Sequence, residues 1–203
     1  MPLTRMRVFF LAGVLLSTAA LAQELVYRDS DPMAMALQHV DVSSPEWLAQ
    51  VEKGMQQRDK SPWPHVQFGY SESLAGHAAS ARESYRLALD LAADPIQQRH
   101  VRWSYGWGLF NLGQSEAALE QWRQAAELHG GRPFWLPYTL AVGYWQSGEE
   151  DQALHWYTAA ARSFPQRWGK AEGVARATAG WKAAEREAVD ALFLRWRKQN
   201  PIR

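Results

Sequence analysis

The stretch GEEDQALHWYTAA (residues 148–160) has two earlier counterparts in the chain, and together they decide the fold. They are GQSEAALEQWRQA at residues 113–125 and GHAASARESYRLA at residues 76–88, so successive copies are offset by 37 and 35 residues. All three copies read Gly-x4-Ala-x3-aromatic-x2-Ala. Small residues and one aromatic ring at helical spacing predict a helix that packs closely on its neighbours, entered through a glycine turn with positive φ.

A helix-breaking sequence follows each copy: Asp94-Pro95, then Gly130-Gly131-Arg132-Pro133, then Pro165. With these breaks the chain resembles the tetratricopeptide repeat (TPR) family, whose units of about 34 residues form two antiparallel helices, A and B. The third unit matches the family pattern at Leu140, Ala141, Tyr144, Ala153, Tyr157, Ala160 and Pro165. The second unit keeps Gly106, Ala118, Trp122 and Ala125. The first unit has Glu72 at a helix A position where an apolar residue is expected.

The resemblance implies an all-α fold, a TPR-like helical solenoid of about three helix-turn-helix repeats with N- and C-terminal capping helices. We expect the repeats over residues 61–166, divided at about 62–95, 99–133 and 134–166. An N-terminal segment and capping helix would occupy residues 23–60, with a helix starting at Ser44-Pro45-Glu46. C-terminal capping helices would occupy residues 167–203, with a break at Gly173 or Gly180. There we expect packing on the third unit by Trp181, Ala184, Ala188 and Leu192.

Residues 1–22 have the features of a secretory signal peptide. Arg5 and Arg7 precede an acid-free apolar run over residues 8–22 that ends in Ala20-Leu21-Ala22, which predicts cleavage between Ala22 and Gln23. The alternative is an uncleaved anchor, although the run is shorter than the roughly 20 residues of a spanning helix. The chain has no cysteine, which excludes disulfides, thiolate metal ligands and a lipid-modified cysteine. We therefore expect a periplasmic protein without stable membrane insertion after cleavage.

The charge balance argues against a nucleic-acid-binding protein. The 203 residues include 22 basic and 21 acidic side chains, a formal net charge of +1. Cleavage after Ala22 would leave 20 basic residues against 21 acidic ones, a net charge of −1. Proteins that bind nucleic acid through its phosphates carry a clear excess of Lys and Arg, and this chain does not.

Eleven tryptophans make the chain unusually rich in large aromatic residues. On helix A of each unit, one stripe of positions packs within the fold and a second stripe lies about 130° around the helix from it. The TPR resemblance implies that the second stripe lines a concave groove where peptides bind. We predict this ligand or peptide-binding groove at Trp63, Tyr70, His100, Trp103, Trp107, Phe110, Trp135, Tyr138 and Trp145.

The aromatic groove predicts an apolar, aromatic or proline-rich segment of another envelope protein as the ligand. The Lys and Asn positions of carboxylate-clamping TPR domains are occupied here by Trp103, Trp107 and Val142, so the resemblance implies no two-carboxylate clamp. Three other arrangements stay open: the rings form part of the core, they mediate self-association, or residues 23–43 fold back as an internal plug. The plug would use Leu25, Val26, Tyr27, Met33, Met35 and Leu37.

No motif in the sequence indicates an enzyme, a metal site or a cofactor. The chain has no H-E-x-x-H, G-x-S-x-G, phosphate-binding loop or dinucleotide fingerprint. Its six histidines show no metal spacing, and for His100 we expect a hydrogen-bonding or stacking role. The predicted function is a non-enzymatic adaptor or scaffold of the bacterial periplasm that binds an extended or helical segment of an envelope protein. The alternative is a carbohydrate or peptidoglycan binder that uses the same tryptophans.

Overall fold

The computed structural model describes residues 26–31, 45–56 and 61–201, and the bounds of its helices follow the repeat period. The helices are α1 Pro45–Met55, α2 Trp63–Leu74, α3 Ala78–Leu91, α4 Pro95–Asn111, α5 Ser115–His129, α6 Leu136–Gln146, α7 Glu150–Ser163, α8 Pro165–Trp168, α9 Ala171–Ala177 and α10 Ala183–Gln199. In the described residues the only β pairing is an isolated parallel bridge between Asp29 and Pro133.

Three antiparallel helix pairs form the repeats: α2 with α3, α4 with α5, and α6 with α7. The turn within each pair contains a glycine with positive φ, at Gly76 (80°), Gly113 (72°) and Gly148 (83°). These are the glycines that open the three sequence copies, and a side chain at such a φ would be strained. The predicted all-α solenoid of helix-turn-helix repeats is confirmed.

In the first two units, the aromatic residue of helix B packs into a space left by glycines on helices A. In the second unit, Trp122 lies fully buried and donates a hydrogen bond from Nε1 to the Trp103 carbonyl oxygen at 3.1 Å. A Cβ on Gly106 would lie only 2.2 Å from this Nε1, so no larger residue fits there. In the first unit, the Tyr85 hydroxyl donates to the Ser104 carbonyl oxygen at 3.1 Å, which ties that unit to the second.

Helix boundaries differ from the expected ones in two places. Helix α4 begins at Pro95, about one turn before the expected start of its unit, because Asp94 caps it by accepting a hydrogen bond from the Gln97 backbone N–H at 2.8 Å. Glu72 does not interrupt α2, since its carboxylate lies near the surface beside His77, with 3.3 Å between Oε2 and Nδ1.

The C-terminal segment consists of three helices rather than one long one. The chain leaves helical geometry between α8 and α9 and again over residues 178–182, which contain Gly180. Gly173 lies inside α9 and does not interrupt this helix. Leu192 packs into the core and Ala188 lies against it as predicted, but Ala184 is exposed and Glu185 is buried in its place.

Several predictions concern residues that lie outside this description. The predicted signal peptide (residues 1–22), the N-cap Ser44, and the plug residues Leu25, Met33, Met35 and Leu37 lie outside the described residues. Within the described ranges, no helix has the length and apolar character needed to cross a membrane.

Candidate functional site

The nine residues predicted to line the groove, which we call the aromatic surface, come from all three helices A. The structure corrects the prediction that they lie open to a ligand, because six of them are buried. These six are His100 (0 % exposed), Trp103 (5 %), Trp107 (7 %), Phe110 (1 %), Trp135 (0 %) and Tyr138 (1 %). Trp63, Tyr70 and Trp145 are half-buried. That this surface binds another protein stays a prediction.

Part of the aromatic surface is covered by residues 168–185, which we call the C-terminal cover. Its Trp181 ring contacts Trp107 on α4 edge-on, with 5.0 Å between ring centroids, and lies 5.6 Å from Tyr138 on α6. Trp168 is buried against Tyr138 on the same side, at 4.9 Å. Trp181 therefore contacts both α4 and α6 and fills the space between these two helices.

A buried carboxylate anchors the C-terminal cover to the first two repeats. Oε1 of Glu185 accepts hydrogen bonds from the Tyr70 hydroxyl and from the Asn111 side-chain amide, each at 2.8 Å. Its Oε2 accepts from the Lys182 backbone N–H at 3.0 Å, which also caps α10. Burial, followed by the negative charge of Glu185, raises the pKa of Tyr70, so the phenol stays protonated and remains a donor.

A second cover, residues 26–31, lies across the opposite end of the aromatic surface, and we call it the strap. It runs along the edge where helix B of one unit connects to helix A of the next. Asp29 donates its backbone N–H to the Arg132 carbonyl oxygen at 3.0 Å, and its own carbonyl accepts from the Phe134 N–H at 3.1 Å. The Tyr27 backbone N–H donates to Ser163 Oγ at 2.9 Å, and the Tyr27 ring meets Trp156 edge-on.

The strap ends at a buried carboxylate, Asp31. Its Oδ1 lies 2.7 Å from His100 Nε2, and its Oδ2 accepts from Trp135 Nε1 at 3.0 Å. Nε of Arg99 lies 3.1 Å from Oδ2, which adds a positive charge at the same group. Burial alone would raise the pKa of Asp31, but the hydrogen bonds from His100 and Trp135 and the charges of His100 and Arg99 together hold it well below its usual value.

Besides Nε of Arg99, which lies near Asp31 without forming a hydrogen bond, the strap leaves two buried polar atoms at this end without a hydrogen-bond partner among the described residues. They are Nδ1 of His100 and Nε1 of Trp103. The ring of Trp103 lies 6.3 Å from that of Trp135, so both atoms belong to the same end of the aromatic surface. An unpaired buried donor or acceptor costs about 1–3 kcal/mol, so the strap does not satisfy this site fully.

The two covers bear on several predictions made from the sequence. Of the internal-plug residues, Tyr27 is buried, but it contacts Trp156 and Ser163 of α7 and not the predicted groove residues, and Val26 is exposed; the plug stays an open alternative. Sequence reasoning missed the acidic residues, Asp31 and Glu185, because an isolated acidic residue gives no local signal of burial. The sugar-binding alternative loses its basis at Trp103, Trp107 and Trp135, since these buried rings offer no open face to a sugar ring. His100 forms a hydrogen bond, as expected.

The chemistry of the site favours recognition of peptide groups. Its polar contacts use backbone amides, carbonyls and paired carboxylates, which bind and orient extended chain. In the part of the chain that the structure describes, no group of three or more His, Cys, Asp or Glu side chains could hold a metal ion.

The comparisons with known proteins agree with this architecture. Over 150 residues, 67 % of this chain, it is 26 % identical to the Photosystem I assembly protein Ycf3 of Synechococcus elongatus and covers 83 % of that protein. The Ycf3 protein of a second Synechococcus strain matches to the same extent. The tetratricopeptide repeat family model matches residues 35–170, which include all three helix pairs. The chain therefore belongs to the tetratricopeptide repeat family and is a protein-binding adaptor rather than an enzyme.

Proposed function

We propose that this chain assists the assembly of a multi-protein complex in the bacterial periplasm by holding a segment of an envelope protein against its aromatic surface. The two similar Synechococcus proteins are named as assembly proteins of photosystem I, which supports an assembly role in general. We do not extend the identity of their complex, photosystem I, to this chain. The envelope partner proposed here follows from the signal-like residues 1–22 and from the aromatic surface with its two covers.

The observation that carries the proposal is that the repeats already hold an extended segment of chain. The strap lies across two repeat units and is bound by backbone hydrogen bonds at Asp29 and by a buried side chain on either side of it. Hydrogen bonds to the backbone can form with an extended segment of any sequence. Buried side chains at alternate positions give the binding its sequence specificity. The strap thus serves as a template for how a partner segment would lie on the repeats.

The periplasmic location rests on the sequence of residues 1–22. A basic start, an apolar run and a small-residue cleavage sequence form an export signal. Purification of the full chain from a bacterial periplasmic fraction, followed by N-terminal sequencing, tests this part. We expect the mature protein to begin at Gln23, whereas an intact N-terminus in the membrane fraction would contradict cleavage.

The adaptor function is tested by capture from solubilised envelope, with the full chain and two variants as baits. Asp31→Asn weakens the strap, and Asp90→Asn removes an exposed carboxylate that pairs with Arg86 on the same helix. We expect the native chain to enrich one envelope protein. The Asp31→Asn bait should recover more of that protein, and the Asp90→Asn bait should recover the same amount as the native chain. Equal recovery by all three baits, or recovery of nothing, would count against the proposal.

A further inference from the structure

We propose that the strap is an intramolecular ligand of a carboxylate-binding site formed by Arg99, His100 and Trp135. The partner segment that replaces it is an extended acidic peptide that places an aspartate or glutamate side chain in this site. The inference rests on the proposed adaptor function and adds the chemistry of the partner. It also departs from the apolar or proline-rich ligand predicted from the aromatic residues alone.

The three site residues select a carboxylate over other side chains. His100 and Trp135 each present a ring nitrogen to a different oxygen of Asp31, and the Arg99 guanidinium approaches both oxygens, with Nη2 3.3 Å from Oδ1. An indole N–H and a guanidinium only donate hydrogen bonds, so an amide side chain would turn its own N–H donors toward one of them. An apolar side chain would leave the largely buried Arg99 without a counter-charge, which is costly.

All three site residues belong to the repeats and not to the strap. Arg99 and His100 lie in the second turn of α4, and Trp135 is the N-cap residue of α6. His100 and Trp135 are held by the packing of their helices, with the Trp63 ring 6.3 Å from His100 and the Trp103 ring 6.3 Å from Trp135. The site therefore persists when the strap leaves, and its positive charge then favours a negatively charged replacement.

The strap also defines the spacing that a replacing segment needs. Tyr27, Asp29 and Asp31 alternate along an extended chain: the first buries its ring, the second pairs its backbone with residues 132–134, and the third occupies the carboxylate site. A competing segment consequently carries an aromatic or large apolar residue four positions before its acidic residue. Two intervening side chains add contacts of their own: Arg28 Nε donates to the Ser163 carbonyl oxygen at 2.8 Å, and Asp29 Oδ2 accepts from the Arg132 backbone N–H at 2.6 Å.

The strap is the cover that a partner can displace. Only Tyr27 and Asp31 are buried, while Val26, Arg28, Asp29 and Ser30 are exposed. Among the described residues, Nδ1 of His100 and Nε1 of Trp103 have no hydrogen-bond partner under it, so a segment with further polar groups gains hydrogen bonds that the strap does not make. This combination of few buried side chains and incomplete hydrogen bonding is typical of a contact that opens locally before the rest of the fold.

The test measures binding of a fluorescein-labelled peptide of residues 24–33 to the full chain carrying Asp31→Asn, by fluorescence anisotropy. We expect the peptide to bind at least about ten-fold more tightly than the same peptide with Asp31→Asn, because a charged hydrogen-bonded group is lost. Adding Arg99→Gln to the protein should remove this preference, whereas Arg86→Gln should keep it. The native chain should bind the peptide more weakly than the Asp31→Asn chain, since its own strap competes.

Three results would overturn the inference: no binding of the peptide, equal binding of both peptides, or strap exchange between two copies that makes the native chain a dimer. If Asp31→Asn prevents folding, as judged by circular dichroism, Tyr27→Ala replaces it as the strap-weakened protein. The capture experiment separates the two proposals. If an envelope protein is captured but the peptide does not release it, the adaptor function is supported and the carboxylate site is rejected. If the peptide binds selectively but no envelope protein is captured, the carboxylate site is supported and the adaptor function is rejected.

Discussion

The two covers of the aromatic surface differ in what holds them. The C-terminal cover places the rings of Trp168 and Trp181 between the repeats and adds the carboxylate of Glu185. The strap contributes one buried ring, one buried carboxylate, two backbone–backbone hydrogen bonds at Asp29, and further hydrogen bonds to Ser163 and the Arg132 N–H. Burial of apolar area stabilises a contact by roughly 25 cal/mol per Å². The C-terminal cover, with its two large rings, is therefore the more firmly held of the two covers.

This difference indicates that one surface serves two purposes. The C-terminal cover completes the core, because Trp107 and Tyr138 would otherwise expose large apolar rings next to each other. The strap protects the polar end of the surface, where charge and hydrogen bonds select what is bound. Four measurements test this difference, and the one with the largest expected effect comes first.

Trp168→Ala tests the core role of the C-terminal cover. The indole is almost fully buried against Tyr138, and the Trp168 carbonyl accepts a hydrogen bond from the Tyr157 hydroxyl at 3.0 Å. We expect the free energy of unfolding to fall by about 3–5 kcal/mol, through lost burial and the cavity that remains. Urea denaturation followed by circular dichroism measures it. Trp63→Ala, at a half-buried tryptophan, is the control, and a loss no larger than the control's would contradict the core role.

Glu185→Ala tests the polar anchor of the same cover. The substitution leaves the Tyr70 hydroxyl without its acceptor and removes one of two acceptors of the Asn111 amide, which keeps the Trp107 carbonyl oxygen. We expect a loss of about 2–3 kcal/mol in the free energy of unfolding. Combining it with Tyr70→Phe in a double-mutant cycle should give less than the sum of the single effects. Glu187→Ala, at an exposed neighbour, should be close to neutral. Strict additivity would show that the two groups do not interact.

Asp31→Asn tests whether the strap opens apart from the core. We expect a smaller loss in global stability, about 1–2 kcal/mol, because only a local set of contacts weakens. Amide hydrogen exchange should accelerate at Asp29 and Phe134, whose N–H groups form the strap pairing, and stay slow in α10. Asp90→Asn is the matched control. Accelerated exchange throughout α10 would mean that the two covers form a single cooperative unit.

The pH dependence of the strap is the smallest effect. Folding lowers the pKa of Asp31, so its carboxylate stabilises the fold above the unfolded-state pKa of about 4 and loses that contribution as pH falls below it. The difference in unfolding free energy between the native chain and Asp31→Asn should be constant above about pH 5 and narrow below pH 4. Denaturation at a series of pH values checks it. A difference that persists unchanged at pH 3 would exclude Asp31 as the titrating group.

Much of the helical scaffold could be predicted from local pattern. The turn glycines and the aromatic residues of helices B recur at a fixed period, and each acts on neighbours within one unit or the next. The candidate site could be predicted only in part. The residues of the aromatic surface were identified, but their exposure depends on segments far away in the chain: Asp31 meets His100 and Trp135, and Glu185 meets Tyr70.

The repeat, the antiparallel helix pairs and the aromatic stripe on helices A thus follow from the amino-acid sequence alone. Each follows from interactions between residues close in sequence, where helical periodicity and turn geometry restrict the outcome. Only the tertiary structure decided that Trp181 fills the space between α4 and α6 and that Asp31 lies between Arg99, His100 and Trp135. Those contacts join residues up to 104 apart, and an acidic residue or a tryptophan carries no periodic signal that identifies such a distant partner.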